Sequence, residues 1–139
     1  MYQRILVPTD GSDSATSAME EAIALAEQFD AEVHVLHVID DWRYDTTIES
    51  AVIPLREEAE TYVERCVATA TEAGVAVQSE IELGRPARSI LEYVDANDVD
   101  LVVMGTRGRA GLPKRLLGSV TDYVVTHADV PVHVMPAAD

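Results

Sequence analysis

The sequence predicts an α/β protein: an open five-stranded parallel sheet with helices on both faces. Three observations predict it. Short apolar runs such as Ile5-Leu6-Val7 and Leu101-Val102-Val103-Met104 alternate with longer segments of helical apolar periodicity. Most of these runs are continuous, which marks strands covered on both faces. Strand and helix alternate from end to end, five strands with four helices between them, as right-handed crossovers between parallel strands require. The pattern uses all 139 residues, so one domain spanning 1–139 is expected.

Each element has its own signal. Ile5 to Val7 is a buried strand stopped at Pro8. Thr9-Asp10-Gly11-Ser12-Asp13 supplies turn residues, and Ser12 or Asp13 can cap a helix. Ala15, Ala18, Met19, Ala22, Ala26 and Phe29 then recur at helical spacing, giving an amphipathic helix of about 17 residues. Val33 to Ile39 is the second strand, apolar but for His34 and His37. Asp40 to Ser50 is polar, holds the single Trp and reads as a loop. A long helix follows with Val52, Leu55, Ala59, Tyr62, Val63, Cys66, Val67 and Ala70 on one stripe. Its Pro54 is expected in the first turn, and Gly74 is placed to close it.

Val75 to Leu83 alternates and is expected as a half-exposed strand. Gly84-Arg85-Pro86 turns into a short helix carrying Ala87, Ile90, Leu91 and Val94, with Pro at its start. Val99 to Met104 is the most apolar strand. The segment from Gly105 to Gly118 is Gly-rich and basic. Val120, Val124 and His127 mark a last helix, in whose approach Gly118 costs helix stability relative to Ala. Val130 to Met135 is the fifth strand.

Composition bounds the function. Hydrophobic residues make up 47%, mostly small, with 19 Val and 18 Ala, enough for a real core. No apolar run approaches the ~20 residues that span a bilayer. The start reads as a strand rather than a signal peptide, so a cytoplasmic protein is expected. Cys66 is the single cysteine, which excludes an internal disulfide and a thiolate zinc site. It sits on an apolar helical stripe and reads as a buried, inert thiol. His34 and His37 fall on opposite faces of a strand and cannot chelate together. All four His read as structural or surface groups.

The charge is unusual: 25 acids oppose 10 bases for a net −15, and nine of those bases are Arg. Such a surface repels nucleic acid and anionic membrane. Acid-rich, lysine-poor surfaces suit a halophile cytoplasm, where salt screens the self-repulsion. An ordinary acidic protein is the alternative. Against that background, Arg85, Arg88, Arg107, Arg109, Lys114 and Arg115 are six of the ten bases. This local positive segment suggests a bound anion, with a merely solvated loop as the alternative.

Ligands of such sheets sit outside the carboxyl ends of the strands. There the sequence offers Pro8-Thr9-Asp10-Gly11-Ser12, Val38-Ile39-Asp40-Asp41, Gly105-Thr106-Arg107-Gly108 and Gly118-Ser119. Glycine backbone can approach a polyphosphate closely. A helix starting at Ser119 aims free N–H groups at the same point. No Walker A motif, no G-x-G-x-x-G after the first strand and no G-x-S-x-G elbow occurs. The spacing is instead G-x2-G-x9-G-S, made by Gly105, Gly108, Gly118 and Ser119.

That spacing, after Leu101-Val102-Val103-Met104, resembles the ATP-binding branch of the universal stress protein family. Ile5-Leu6-Val7-Pro8-Thr9-Asp10-Gly11-Ser12, Leu36-His37-Val38-Ile39, Gly84-Arg85-Pro86 and the closing Val130 to Met135 resemble it too, in order along the whole chain. The resemblance implies a Rossmann-like sheet of the adenine-nucleotide α-hydrolase kind, with strand order 3-2-1-4-5. It implies ATP as ligand. Asp10, beside Pro8 and Thr9, would lie near ribose and phosphates, acting through a nucleotide-bound Mg²⁺. Val38 would meet the adenine edge with its backbone, and Met104 and Gly105 would line the ribose. Gly108, Gly118, Ser119 and Val120 would bind phosphates, with Arg107 adding charge. It also implies a homodimer through the fifth strand and a protein partner it does not name.

Three readings of function stand beside one another. The chain is a nucleotide-holding regulatory protein in stress response, a slow ATP hydrolase or phosphotransferase, or a dimeric scaffold without nucleotide. Phosphoryl transfer needs metal, positioned charge and a group that orients the nucleophile. Asp10 and the basic segment offer the first two, and no residue stands out for the third. The intact glycine set argues against the scaffold.

Overall fold

The alternation of apolar runs and amphipathic segments folds as β1 (Arg4–Pro8), α1 (Asp13–Phe29), β2 (Glu32–Asp40), α2 (Glu49–Glu72), β3 (Val77–Gly84), α3 (Pro86–Ala96), β4 (Leu101–Gly105), α4 (Ser119–His127) and β5 (Val132–Met135). The structure is a computed structural model that describes residues 1–106 and 117–137. The five strands form one parallel sheet in the order β3-β2-β1-β4-β5. The expected fold class and strand order are therefore both observed.

The central strands divide their side chains between two cores because successive residues face opposite ways. Ile5, Val7, Val33, Val35, Leu101 and Val103 face α1 and α2, meeting Ala18, Ala22, Ala26, Val63 and Ala70. Leu6, Leu36, Val102 and Met104 face α3 and α4, meeting Ile90, Tyr93, Val94 and Val124. The many small residues on α1 let that helix lie close to the sheet. Cys66 is buried in the first core, as expected, and that burial pushes its thiol pKa up.

Boundaries moved where local chemistry intervened. Ser12 caps α1, its hydroxyl accepting from Ala15 N at 3.3 Å. The helix ends at Asp30 in the left-handed conformation, φ 55°. α2 begins at Glu49, so Pro54 lies in its second turn and not the first, where it withholds an N–H from the helical ladder. Gly74, at φ 76°, turns the chain after α2, and Val75 N returns to Ala70 O. That return occupies Val75, so β3 begins at Val77. Gly118 is extended and precedes α4 as its N-cap, outside the helix where sequence periodicity had weighed it. Val130 and Pro131 lead into β5 without belonging to it.

The two sheet edges differ. β3 exposes Gln78, Ser79 and Glu80 and holds Glu82 half-buried, where burial pushes its carboxyl pKa up, so this edge is half-exposed and acidic. β5 is Val132-His133-Val134-Met135, half-buried throughout, with no carboxylate along it.

Candidate functional site

β1 pairs with β2 on one side and β4 on the other. The chain leaves β1 toward α1 on one face and leaves β4 toward α4 on the other, so a crevice opens between their carboxyl ends. It is a cleft of about 470 Å³. Pro8, Thr9 and Asp10 enter it from the end of β1, Val38 from β2, Met104 and Gly105 from β4, and Gly118, Ser119 and Val120 from the start of α4. These nine sequence-predicted residues, scattered over more than a hundred positions, line one cavity. Arg107 and Gly108, with Arg109, Lys114 and Arg115, lie outside the described residues.

Hydrogen bonds fix the β1 exit. Thr9 N donates to Leu36 O at 2.8 Å, and His37 Nδ1 donates to Thr9 O at 2.7 Å. Gly11 N donates to the Thr9 hydroxyl at 3.2 Å, and Ser12 N to Asp10 Oδ1 at 3.0 Å. The turn needs glycine at position 11: φ is 80°, and a Cβ there would fall on the Tyr62 ring. One oxygen of Asp10 is thus spent on orienting the carboxylate. The other has no partner among the described residues, and Asp10 lines the cleft.

The α4 start is fixed to the β4 exit. Gly118 N donates to Thr106 O at 2.8 Å, and the Thr121 hydroxyl donates to Gly105 O at 2.8 Å. The helical ladder opens with Asp122 N to Gly118 O at 2.9 Å. The N–H groups of Ser119, Val120 and Thr121 precede it, and no described acceptor takes them. Three donors and the positive end of α4 therefore meet at the cleft. Gly105 is required for another reason: a Cβ on it would lie against Ser14 in the first turn of α1.

Several lining residues gave no site signal in the sequence. His37 was expected as a structural group, and Leu55 and Tyr62 as core residues of a long helix; all three line the cleft. Asp40, Arg43, Tyr44 and Glu58 line it as well. His37 and Tyr62 pack ring against ring at 5.7 Å, and Tyr62 donates to Glu58. The described lining carries three carboxylates, those of Asp10, Asp40 and Glu58, and the single guanidinium of Arg43. No described group of three His, Cys, Asp or Glu could hold a metal by itself. The opposite face of β2 behaves differently: buried His34 bridges the Tyr93 hydroxyl and Glu32 Oε1, each at 2.7 Å. The hydrogen bond from His34 holds the Glu32 carboxyl below its usual range.

The universal stress protein family model matches residues 1–136. The chain belongs to the universal stress protein family. The universal stress protein MJ0531 of Methanocaldococcus jannaschii is 37% identical over 97% of this chain and 82% of its own length. The solved structure of MJ0577, also from Methanocaldococcus jannaschii, superposes with a TM-score of 0.90 at 32% identity, covering 100% of this chain and 99% of that one. A universal stress protein solved in complex with cAMP superposes at 0.76 with 24% identity, covering 99% and 98%, a likeness of fold. This universal stress protein presents its crevice at the β1–β4 switch point. No described helix is long and apolar enough to cross a membrane.

Proposed function

We propose that the cleft binds an adenine nucleotide, ATP foremost, and that the protein acts by holding it, as a regulatory component of stress response. One observation carries this reading. The N–H groups opening α4, which no described acceptor takes, and the Gly105, Gly118 and Asp10 residues at the element ends line one cavity. Its volume lies within the ~300–1,000 Å³ usual for small-molecule sites.

In this reading Val38 meets the adenine edge with its backbone, and Pro8, Thr9, Met104 and Gly105 surround the ribose. Gly118, Ser119 and Val120 receive the phosphates together with Arg107 and Gly108. Asp10 suits a nucleotide-borne Mg²⁺, because Mg²⁺ is commonly held by one or two carboxylates plus substrate phosphates. When bound, the ion would offset phosphate charge beside the carboxylates of the lining. The edge strand β5, without carboxylates and with His133 as its one polar residue, suits two-fold pairing with a second copy, whereas β3 carries Glu80 and Glu82.

The test is calorimetric titration with ATP, ADP, AMP and cAMP, with and without Mg²⁺, and assay of phosphate release over hours. The reading expects saturable ATP binding, weakened in Asp10→Ala chiefly when Mg²⁺ is present, and at most slow release. Absence of binding to every adenine nucleotide would leave the scaffold in its place. Turnover at ordinary enzyme rates would make it a hydrolase.

A further inference from the structure

The loop after β2 is fastened in place, and the fastening uses the only Trp of the chain. Asp41 N donates to Gly84 O at 3.0 Å, carrying the β2–β3 pairing past the end of the sheet. Asp40 Oδ1 accepts from Trp42 N at 3.0 Å and Arg43 N at 3.3 Å, and Tyr44 N donates to Asp40 O at 3.2 Å. These bonds fold the chain back over the cleft. The Arg85 guanidinium covers the Trp42 ring, 3.7 Å from its centroid. Arg85 is the N-cap of α3, and the next residue, Pro86, lines the cleft. Trp42 itself is 75% exposed and does not line the cavity. The two residues that follow it, Arg43 and Tyr44, do line it, with the guanidinium 5.8 Å from the ring centroid.

A Trp that is 75% exposed, its ring covered by a guanidinium, contributes little to a core. Its place between the α3 start and the two lining residues gives it another use. Arg43 and Tyr44 enter on the β2 side of the cleft, away from the N–H donors of α4 on the β4 side. A planar guanidinium and an aromatic ring are the side chains that stack on a flat heterocycle. We propose that Tyr44 and Arg43 form a stacking platform for the base of the bound nucleotide, and that the Trp42–Arg85 pair is the clasp that positions it. The inference rests on the nucleotide reading of the cleft and adds the residues that select for a base. Tyr44 and Arg43 touch the ligand; Trp42 and Arg85 are positioning residues.

The experiment compares ATP with inorganic tripolyphosphate, which carries the charge without the base. Wild type, Tyr44→Ala, Trp42→Ala, Trp42→Phe and Arg85→Ala are titrated by calorimetry, with circular dichroism to check the fold. Tyr44→Ala, Trp42→Ala and Arg85→Ala should each weaken ATP binding about tenfold and leave tripolyphosphate binding unchanged. Trp42→Phe keeps an aromatic face for Arg85 and should restore ATP binding. Tyr44→Ala combined with Trp42→Ala should weaken it little more than either alone, because both remove one platform. In wild type, ATP should change Trp42 fluorescence and tripolyphosphate should not. Equal losses for both ligands, or variants that bind ATP as wild type does, would overturn the clasp while leaving the nucleotide reading intact. A wild-type protein that binds no ATP would remove the nucleotide reading and the platform with it.

Discussion

Gly118→Val separates binding from folding more cleanly than any other change at this site. Gly118 sits at φ −64° and ψ 158°, a conformation open to any L residue, so valine meets no backbone strain there. Two small effects on folding oppose each other. Replacing Gly where the native conformation is compatible stabilises by ~0.4–1 kcal/mol through the unfolded state. Valine is a poorer N-cap than glycine, and caps are worth roughly 0.5–2 kcal/mol. The net change in stability should be within about 1 kcal/mol, a shift of a few degrees in Tm.

Binding should respond very differently. In the proposed binding mode the branched side chain would stand where the phosphates approach the N–H groups of Ser119 and Val120. Hydrogen bonds to charged groups contribute about 1.5–3 kcal/mol each. Loss of two costs about 3 kcal/mol or more, which is over a hundredfold in Kd. Gly118→Ala, with one methyl, should fall between the two. Calorimetric titration gives the affinities, and circular dichroism melts give the fold control. A folded Gly118→Val protein that binds ATP as tightly as wild type would falsify the placement of the phosphate site.

Four further outcomes are expected. Tyr93→Phe removes the hydroxyl that His34 Nδ1 meets at 2.7 Å in a buried setting and should cost ~1–3 kcal/mol, read from urea melts. The lowered pKa of Glu32 means that its contribution to stability is complete above about 4.5, the unfolded value, and is lost as pH falls through the lower native value. Glu32→Gln should therefore flatten the acid limb of Tm against pH, and an unchanged limb would discount the His34 contact. Because the net charge is −15, Tm should rise across a KCl series as the Debye length shrinks from ~10 Å at 0.1 M to ~3 Å at 1 M; a flat or falling series would sink the halophile reading. Light scattering should give about twice 15.1 kDa, and a Val132→Pro/Val134→Pro double variant should be monomeric if β5 is the interface.

The sequence determined the sheet and its parallel sense for a local reason, while the set of nine cleft residues came with the family resemblance. Continuous apolar runs, helical spacing, caps and glycines are properties of neighbouring residues, and Asp10, Gly105 and Gly118 each stand at a strand or helix end that such signals mark. Gly11 and Gly74 were legible as turns because their positive φ is a demand the residue itself meets. Tertiary structure alone decided the rest. Leu55, Tyr62 and Glu58 are spaced as the stripe of a long helix, and nothing local distinguishes the turns that face β1 from those that face the sheet beyond it. The role of Gly105 depends on Ser14, ninety-one positions earlier, and becomes visible only when α1 packs on β4. The loop from Asp40 to Ser50 read as plain polar sequence. What fastens it is Arg85, brought near by the pairing of β2 with β3, and no periodicity within the loop could have named that partner.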